Sequence, residues 1–274
     1  MRTTRFLLAA TLLGLCGAAH AADVALARLD CGGPREPVSV AAFSDTFEHE
    51  NRRIALTYSC YLVRNGDRYL LWDTGSALDG SDESPKVPLV QQLARIGLKP
   101  ADIDFVGISH YHDDHTGQLA LFPDATLLMG RADWNAVTAA EAPAGFDAKE
   151  YAARRARFSP WIGRGKLELV GGDRRDVFGD GTVLMLDLPG HTPGHRGLLV
   201  KLAKTGNVLL SGDVTHFHEN YRSDGVPTWN TNRADSLASL DRFRKTAENL
   251  EATVIIQHDP RDIGKLPAFP AFAD

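Results

Sequence analysis

The sequence has 274 residues, of which 43% are hydrophobic and 24% charged, with a formal net charge of −5. That balance excludes a disordered chain and a membrane-embedded one, and the length suits one large globular unit or two small ones. A mildly acidic chain is also poorly matched to nucleic acid or an anionic membrane as partner.

At the N-terminus, Arg2 and Arg5 precede a short apolar run over residues 6–15, and Ala19-His20-Ala21 offers a small-residue cleavage site. Residues 1–21 therefore read as an export signal, leaving a periplasmic or secreted protein. The run is too short to span a bilayer, and no later stretch reaches about 20 apolar residues, so no integral membrane segment is expected after cleavage. Leu15 before Cys16 fits a lipidation box poorly. Cleavage would remove two arginines and no acid, leaving 28 basic against 35 acidic residues, a charge of −7. Two cysteines would remain, Cys31 and Cys60. In an oxidising compartment they form a disulfide; the alternative is two buried thiols. No C-x-x-C spacing marks either as a metal ligand.

From residue 22 the pattern alternates strands and helices, without repeats or a sharp internal boundary, which predicts a single domain over 22–274. Residues 24–29 predict a strand. Residues 56–63 and 69–72 predict a hairpin joined through Asn65-Gly66-Asp67. Residues 88–96 predict a helix, with Pro88 near its start and Gly97 after its end. A strand over 104–108 delivers a run of histidines, and another over 125–129 leads into a helix-rich stretch from about 132 to 158. Further strands are predicted at 167–170, 183–188, 197–202 and 208–210. Residues 233–250 form an amphipathic helix with Leu237, Leu240, Phe243, Ala247 and Leu250 on one side. A last strand covers 253–257. Hairpins mixed with helices point to an α/β sandwich, with helices covering two sheets.

Three of the ten histidines fall in His110-Tyr111-His112-Asp113-Asp114-His115. His191, Asp213 and His258 each follow a predicted strand, and strand-end loops are where a rigid scaffold presents functional groups. In an extended or tightly turned segment His110 and His112 point the same way and can hold one ion, while Asp114 and His115 turn toward a second. Imidazole with carboxylate suits zinc first, and iron, manganese or cobalt as well. A carboxylate such as Asp213 can bridge two such cations.

In order and spacing, Asp73, the 110–115 run, His191, Asp213 and His258 resemble the metallo-β-lactamase superfamily. The resemblance spans essentially the whole chain after residue 21. It implies an αββα sandwich with a dinuclear metal site at one edge of the two sheets. His110, His112 and His191 would hold one metal, Asp114, His115 and His258 the other, and Asp213 both. Asp73 and His195 would orient ligands without binding metal. The segments around Asp30-Cys31-Gly32, Trp72-Asp73-Thr74-Gly75 and Gly190-His191-Thr192-Pro193-Gly194-His195 resemble most the N-acyl-homoserine lactone lactonases, although glyoxalase II-like hydrolases share several of them. That likeness implies opening of an acylated lactone ring by a hydroxide held between two divalent ions. Many such lactonases carry a tyrosine three residues after the bridging aspartate, where this sequence has His216. His216 could donate a hydrogen bond or act as general acid, or Tyr221 could fold in from the same loop. Asp114 could help protonate the leaving group. Phe43, Phe47, Trp134, Trp161, Phe217 and Trp229 are candidates for an apolar groove around the acyl tail. Hydrolysis of other esters, thioesters or organophosphates would use the same cage. An iron-dependent dioxygenase would need only one metal.

Overall fold

The computed structural model describes residues 23–142, 147–163 and 165–274, so the expected export signal lies outside the described residues. The first half runs β1 (Val24–Asp30), a short ribbon of β2 (Val38–Ser39) with β3 (Arg53–Ile54), β4 (Ser59–Asn65), β5 (Arg68–Trp72), α1 (Leu89–Ala94), β6 (Phe105–Ile108), α2 (Asp113–Thr116), β7 (Thr126–Gly130), α3 (Arg131–Thr138), α4 (Ala148–Arg157) and β8 (Leu167–Val170). The second half runs β9 (Arg174–Asp176), β10 (Val183–Asp187), β11 (Arg196–Leu202), β12 (Gly206–Leu210), α5 (His218–Arg222), α6 (Arg233–Asn249) and β13 (Thr253–Ile255).

Two sheets result, in the orders β1-β4-β5-β6-β7-β8 and β13-β12-β11-β10-β9. Side chains alternate across a strand, and both faces of these strands are filled. Leu26, Tyr61, Val63, Leu70 and Trp72 meet Met185, Leu198, Val200 and Leu210 of the other sheet. Leu62 and Leu71 point the opposite way, toward Leu89 and Leu93 of α1 and Val137 of α3. On the far side, Leu199 and Leu209 pack under Leu240, Phe243 and Ala247 of α6. Four layers follow, helix, sheet, sheet, helix, as the sequence pattern predicts. Strands buried on both faces read as continuous apolar runs such as Val208-Leu209-Leu210.

Strand ends differ from expectation where the backbone is drawn to the site. The strand expected from residue 56 begins at Ser59, because Thr57 N donates to His258 O and Tyr58 N to Gly32 O. The strand expected to reach residue 257 ends at Ile255, because Ile256 N donates to Asp262 Oδ2 and Gln257 N to Ser211 Oγ. Strand β9, Arg-Arg-Asp, is too polar to announce itself and pairs only at a sheet edge. Among the described residues, no helix is long and apolar enough to cross a membrane. Cys31 and Cys60 are joined as a disulfide, Cα atoms 5.8 Å apart, which decides between the two readings of that pair.

Candidate metal centre

Strands β5 to β8 run parallel, as do β12 and β13, and β10 shares the direction of β12 through antiparallel β11. Their carboxyl ends open on one edge of the sandwich, where α/β sheets place ligand sites. β6 leads into His110 and His112, and the N-terminus of α2 carries Asp114 and His115. β10 leads to His191, β12 to Asp213 and β13 to His258. Gly190 makes the turn before His191 at φ 132°, where a Cβ would clash with the backbone of Ser236 on α6. Only glycine permits that approach.

Donor atoms converge in two groups: His110, His112, His191 and Asp213, and beside them Asp114, His115 and His258. Asp213 serves both. Its Oδ2 lies 3.4 Å from His191 Nε2 and 3.7 Å from His110 Nε2, while its Oδ1 lies 2.9 Å from His258 Nε2 and 3.2 Å from His115 Nε2. Asp114 Oδ2 stands 3.6 Å from both His115 Nε2 and His258 Nε2.

These residues fit divalent cations. Metal–nitrogen bonds of about 2.0–2.1 Å in a tetrahedral site put neighbouring donors roughly 3.3 Å apart. His112 Nδ1 is 2.9 Å from His110 Nε2 and 3.0 Å from His191 Nε2, and His115 Nε2 is 3.2 Å from His258 Nε2. The outward nitrogens are held by acceptors: His115 Nδ1 by Asp73 Oδ2 at 2.9 Å, His191 Nδ1 by Asn230 Oδ1 at 2.8 Å, and His258 Nδ1 by Thr57 O at 3.0 Å. An N–H committed outward leaves the Nε2 lone pair facing the centre, the tautomer a metal needs. Asp213 Oδ1 is buried and accepts no hydrogen bond among the described residues, an orphan that a cation would satisfy.

Electrostatics divide the two groups. Burial holds His110 and His191 well below the ordinary histidine value and His112 at about 4, so these rings are neutral, the form in which imidazole can bind a cation. Burial also acts against charge on His115 and His258, but the Asp213 and Asp114 carboxylates outweigh it and raise both. Burial would push Asp213 up, yet His258, His115 and His110 hold it well below the carboxylate range. A cation entering the second group therefore displaces protons from imidazole.

The surrounding residues have definite tasks. Asp73, at the unusual φ of 58°, accepts from Ser109 N at 2.7 Å as well as facing His115. His195 accepts from Asp213 N at 2.7 Å through Nε2, and its Nδ1 lies 2.9 Å from Leu188 O. It orients Asp213 from behind. His216 Nε2 sits 3.1 Å from Asp213 Oδ2, on the wall of a cavity of about 200 Å³ that also exposes Asp114 and His258. Tyr221 does not join it. That side chain lies on α5 with its ring edge-on to Phe243 of α6, because α5 turns it toward the outer helix layer.

Of the candidate groove aromatics, Phe43 and Trp229 line the cavity, ring centroids 5.2 Å apart. Phe217 and Trp161 are fully buried in core clusters and Trp134 packs edge-on against Phe158, so these three are structural. Phe47 is 80% exposed. Sequence reading missed Asn230, Gln257, Asp133 and Tyr58. Gln257 Nε2 donates to Asp73 Oδ2 at 2.9 Å, and its place beside His258 was a usable signal. Asn230 sits in a loop with no local mark.

The metallo-beta-lactamase superfamily model matches residues 54–258. The chain belongs to that superfamily. It is a metal-dependent hydrolase with the αββα fold of the family. Among its relatives is N-acyl homoserine lactonase AttM of Rhizobium radiobacter, 31% identical over 185 residues, 67% of this chain and 68% of that protein. An N-acyl homoserine lactonase of Bacillus sp is 28% identical over 230 residues, 78% of this chain and 85% of that one. The crystal structure of a quorum-quenching N-acyl homoserine lactone lactonase superposes with a TM-score of 0.73 at 21% identity, covering 90% of this chain and 97% of the other.

Proposed function

We propose that the chain opens the ring of N-acyl homoserine lactones, using two divalent cations held by the seven donors. The observation that carries the reaction class is Asp213, whose two oxygens each face a separate histidine group. The second group, Asp114 with His115 and His258, supports two cations over the single iron of a dioxygenase. The lactonases among the relatives support the substrate. Zinc is the first choice for this nitrogen and oxygen donor set.

Cations bound there would supply hydroxide from water at neutral pH and polarise the ester carbonyl. The chain's own residues do the rest. His216 Nε2 faces the cavity beside Asp213 and donates to the carbonyl oxygen as charge builds on it. Asp114, whose side chain is 24% exposed, exchanges protons with solvent and delivers one to the departing ring oxygen. A new C–O bond forms from water, the ring C–O bond breaks, and the product is an N-acyl homoserine that releases one proton as its acid ionises. Phe43, Leu56 and Trp229 give the acyl chain an apolar wall.

We read residues 1–21 as a cleaved export leader. The Cys31–Cys60 disulfide supports an oxidising compartment for the mature chain.

The test is a panel on the metal-loaded mature protein: acyl homoserine lactones of increasing tail length, a thioester and a phosphotriester, followed by acid or chromophore release. Preferred turnover of the acylated lactones is expected. Hydrolysis of the other esters without lactone turnover would sink the assignment.

A further inference from the structure

Two loops far apart in sequence meet at the apolar wall of the cavity. Phe43 lies between β2 and β3, and Trp229 lies between α5 and α6. Their rings stand edge-on with centroids 5.2 Å apart, and the Phe43 ring lies 4.7 Å from that of His216. Phe43 is rooted in a small cluster with Val40 and Phe217. Trp229 is 50% exposed, so its place on the wall depends on the loop that carries it.

Asp45 fastens one loop to the other. Its backbone N donates to Val226 O at 2.9 Å, and its Oδ1 accepts from Val226 N at 3.1 Å. Its Oδ2 accepts from Nε of Arg233, the first residue of α6. The seam is tight, since a Cβ on Gly225 would stand 2.1 Å from Ser44 Oγ and 2.8 Å from Thr46 Oγ1.

Beyond Trp229 the second loop has anchors of its own. Thr231 N donates to His191 O at 3.1 Å, Asn232 N to Gly190 O at 3.0 Å, and Asn230 Nδ2 to Ser236 Oγ at 2.9 Å. These hold Asn230 against His191 without help from Asp45. The grip of Asp45 therefore bears on the aromatic wall, and the metal donors are secured separately. The Arg233 side chain is 55% exposed, and an ion pair that open to water adds little to the stability of the whole fold. Its effect is local.

We propose that Asp45 and Arg233 form a clasp that sets the acyl-chain preference of the site. By holding the Trp229 loop on the Phe43 loop, they keep a wall ready for a long tail and favour long-chain over short-chain acyl lactones. A wall ordered in advance binds more tightly than one that must be ordered by the ligand. Neither residue lines the cavity; both are positioning residues that act through Phe43 and Trp229. The inference rests on the lactonase reading above and deepens it by assigning the residues that govern chain length.

The test compares N-decanoyl with N-butanoyl homoserine lactone on the metal-loaded protein. In Asp45→Ala the ratio of kcat/KM, decanoyl over butanoyl, should fall about tenfold, the size of a lost methylene contact or two. The fall should be carried by KM for the decanoyl substrate, with metal content and turnover of the butanoyl substrate retained. Calorimetric affinity for ring-opened N-decanoyl homoserine should drop by a similar factor, and that for the N-butanoyl product should hold. Arg233→Ala should move the ratio in the same direction, and it carries the test if the Asp45 variant fails to fold. Because both substitutions open one clasp, the double variant should lose no more than Asp45→Ala alone. An unchanged ratio, equal losses on both lactones, or additive losses in the double variant would overturn the inference while leaving the lactonase reading intact. A wild type inert on both lactones would overturn that reading and the clasp's role with it.

Discussion

At the residue scale, chemistry here depends on where each ring nitrogen and carboxylate oxygen is committed. Asp73, Asn230 and the Thr57 carbonyl take the outward Nδ1–H groups of His115, His191 and His258, which turns each Nε2 toward Asp213. His216 differs, since its Nδ1 is buried without a hydrogen-bond partner among the described residues while its Nε2 reaches Asp213. In the proposed reaction this ring is the donor to the substrate carbonyl. His216→Ala should lower kcat roughly 10²-fold, in the range for loss of one donor to a developing oxyanion, with metal content unchanged. Steady-state kinetics beside metal analysis would check it, and an unaltered kcat would remove His216 from the reaction. The convergence of these seven side chains was legible because strand-end positions and the 110–115 spacing restrict where they can point. Tyr221 was not placed correctly. Its distance in sequence from Asp213 says nothing about which face of α5 it occupies, and the packing against Phe243 decides that.

At the scale of elements, the site is a set of strand ends joined by cross-links that the sequence barely advertises. His218 N donates to Asp259 Oδ2 at 3.0 Å, and Arg261 pairs with Glu219, so the segment after His216 is tied to the segment after His258. The disulfide does the same for the end of β1 and the start of β4. Cysteine spacing could raise that bond as one of two outcomes, and only the antiparallel register of Leu29 with Cys60 brings the pair together. Its loop spans 29 residues in sequence. Chain-entropy reasoning gives about 3–4 kcal/mol for closing such a loop. The Cys31→Ser, Cys60→Ser double variant should lose stability of that order in urea denaturation of the oxidised protein; a difference below about 1 kcal/mol would show that the unfolded chain gains little from release. Strand and helix existence followed from apolar periodicity, but exact ends did not, because Thr57, Tyr58, Ile256 and Gln257 leave their sheets to bond across the site.

At the scale of the whole molecule, the two halves meet at the metal edge as well as through the inter-sheet core. Asp133, buried on α3, accepts from Thr192 Oγ1 at 2.8 Å, from Gly194 N at 2.6 Å and from the backbone of Tyr111. It fastens the His110 loop of one sheet to the His191 loop of the other. Burial pushes its carboxyl up to about 7, against the pull of those donors. The folded value lies above the unfolded one, so the folded state binds more protons across the interval between them. Its contribution to stability is complete below about pH 4 and is lost as pH rises through about 7. Metal-free wild type should lose stability relative to Asp133→Asn between pH 4 and 8, on the order of 1.4 kcal/mol per unit of separation. A pH-independent difference in chemical denaturation would contradict that. The layered fold was legible from alternating and continuous apolar runs. Asp133 was not, because a lone aspartate in a polar helix resembles any solvated one. The central claim is that two cations bridged by Asp213 hydrolyse an acylated lactone. Its most direct test is to titrate zinc into the metal-free protein while following acid release from N-hexanoyl homoserine lactone. Activity should climb to a plateau at two equivalents and be absent at every loading in Asp213→Ala; saturation at one equivalent, or an intact lactone at full loading, would contradict the account.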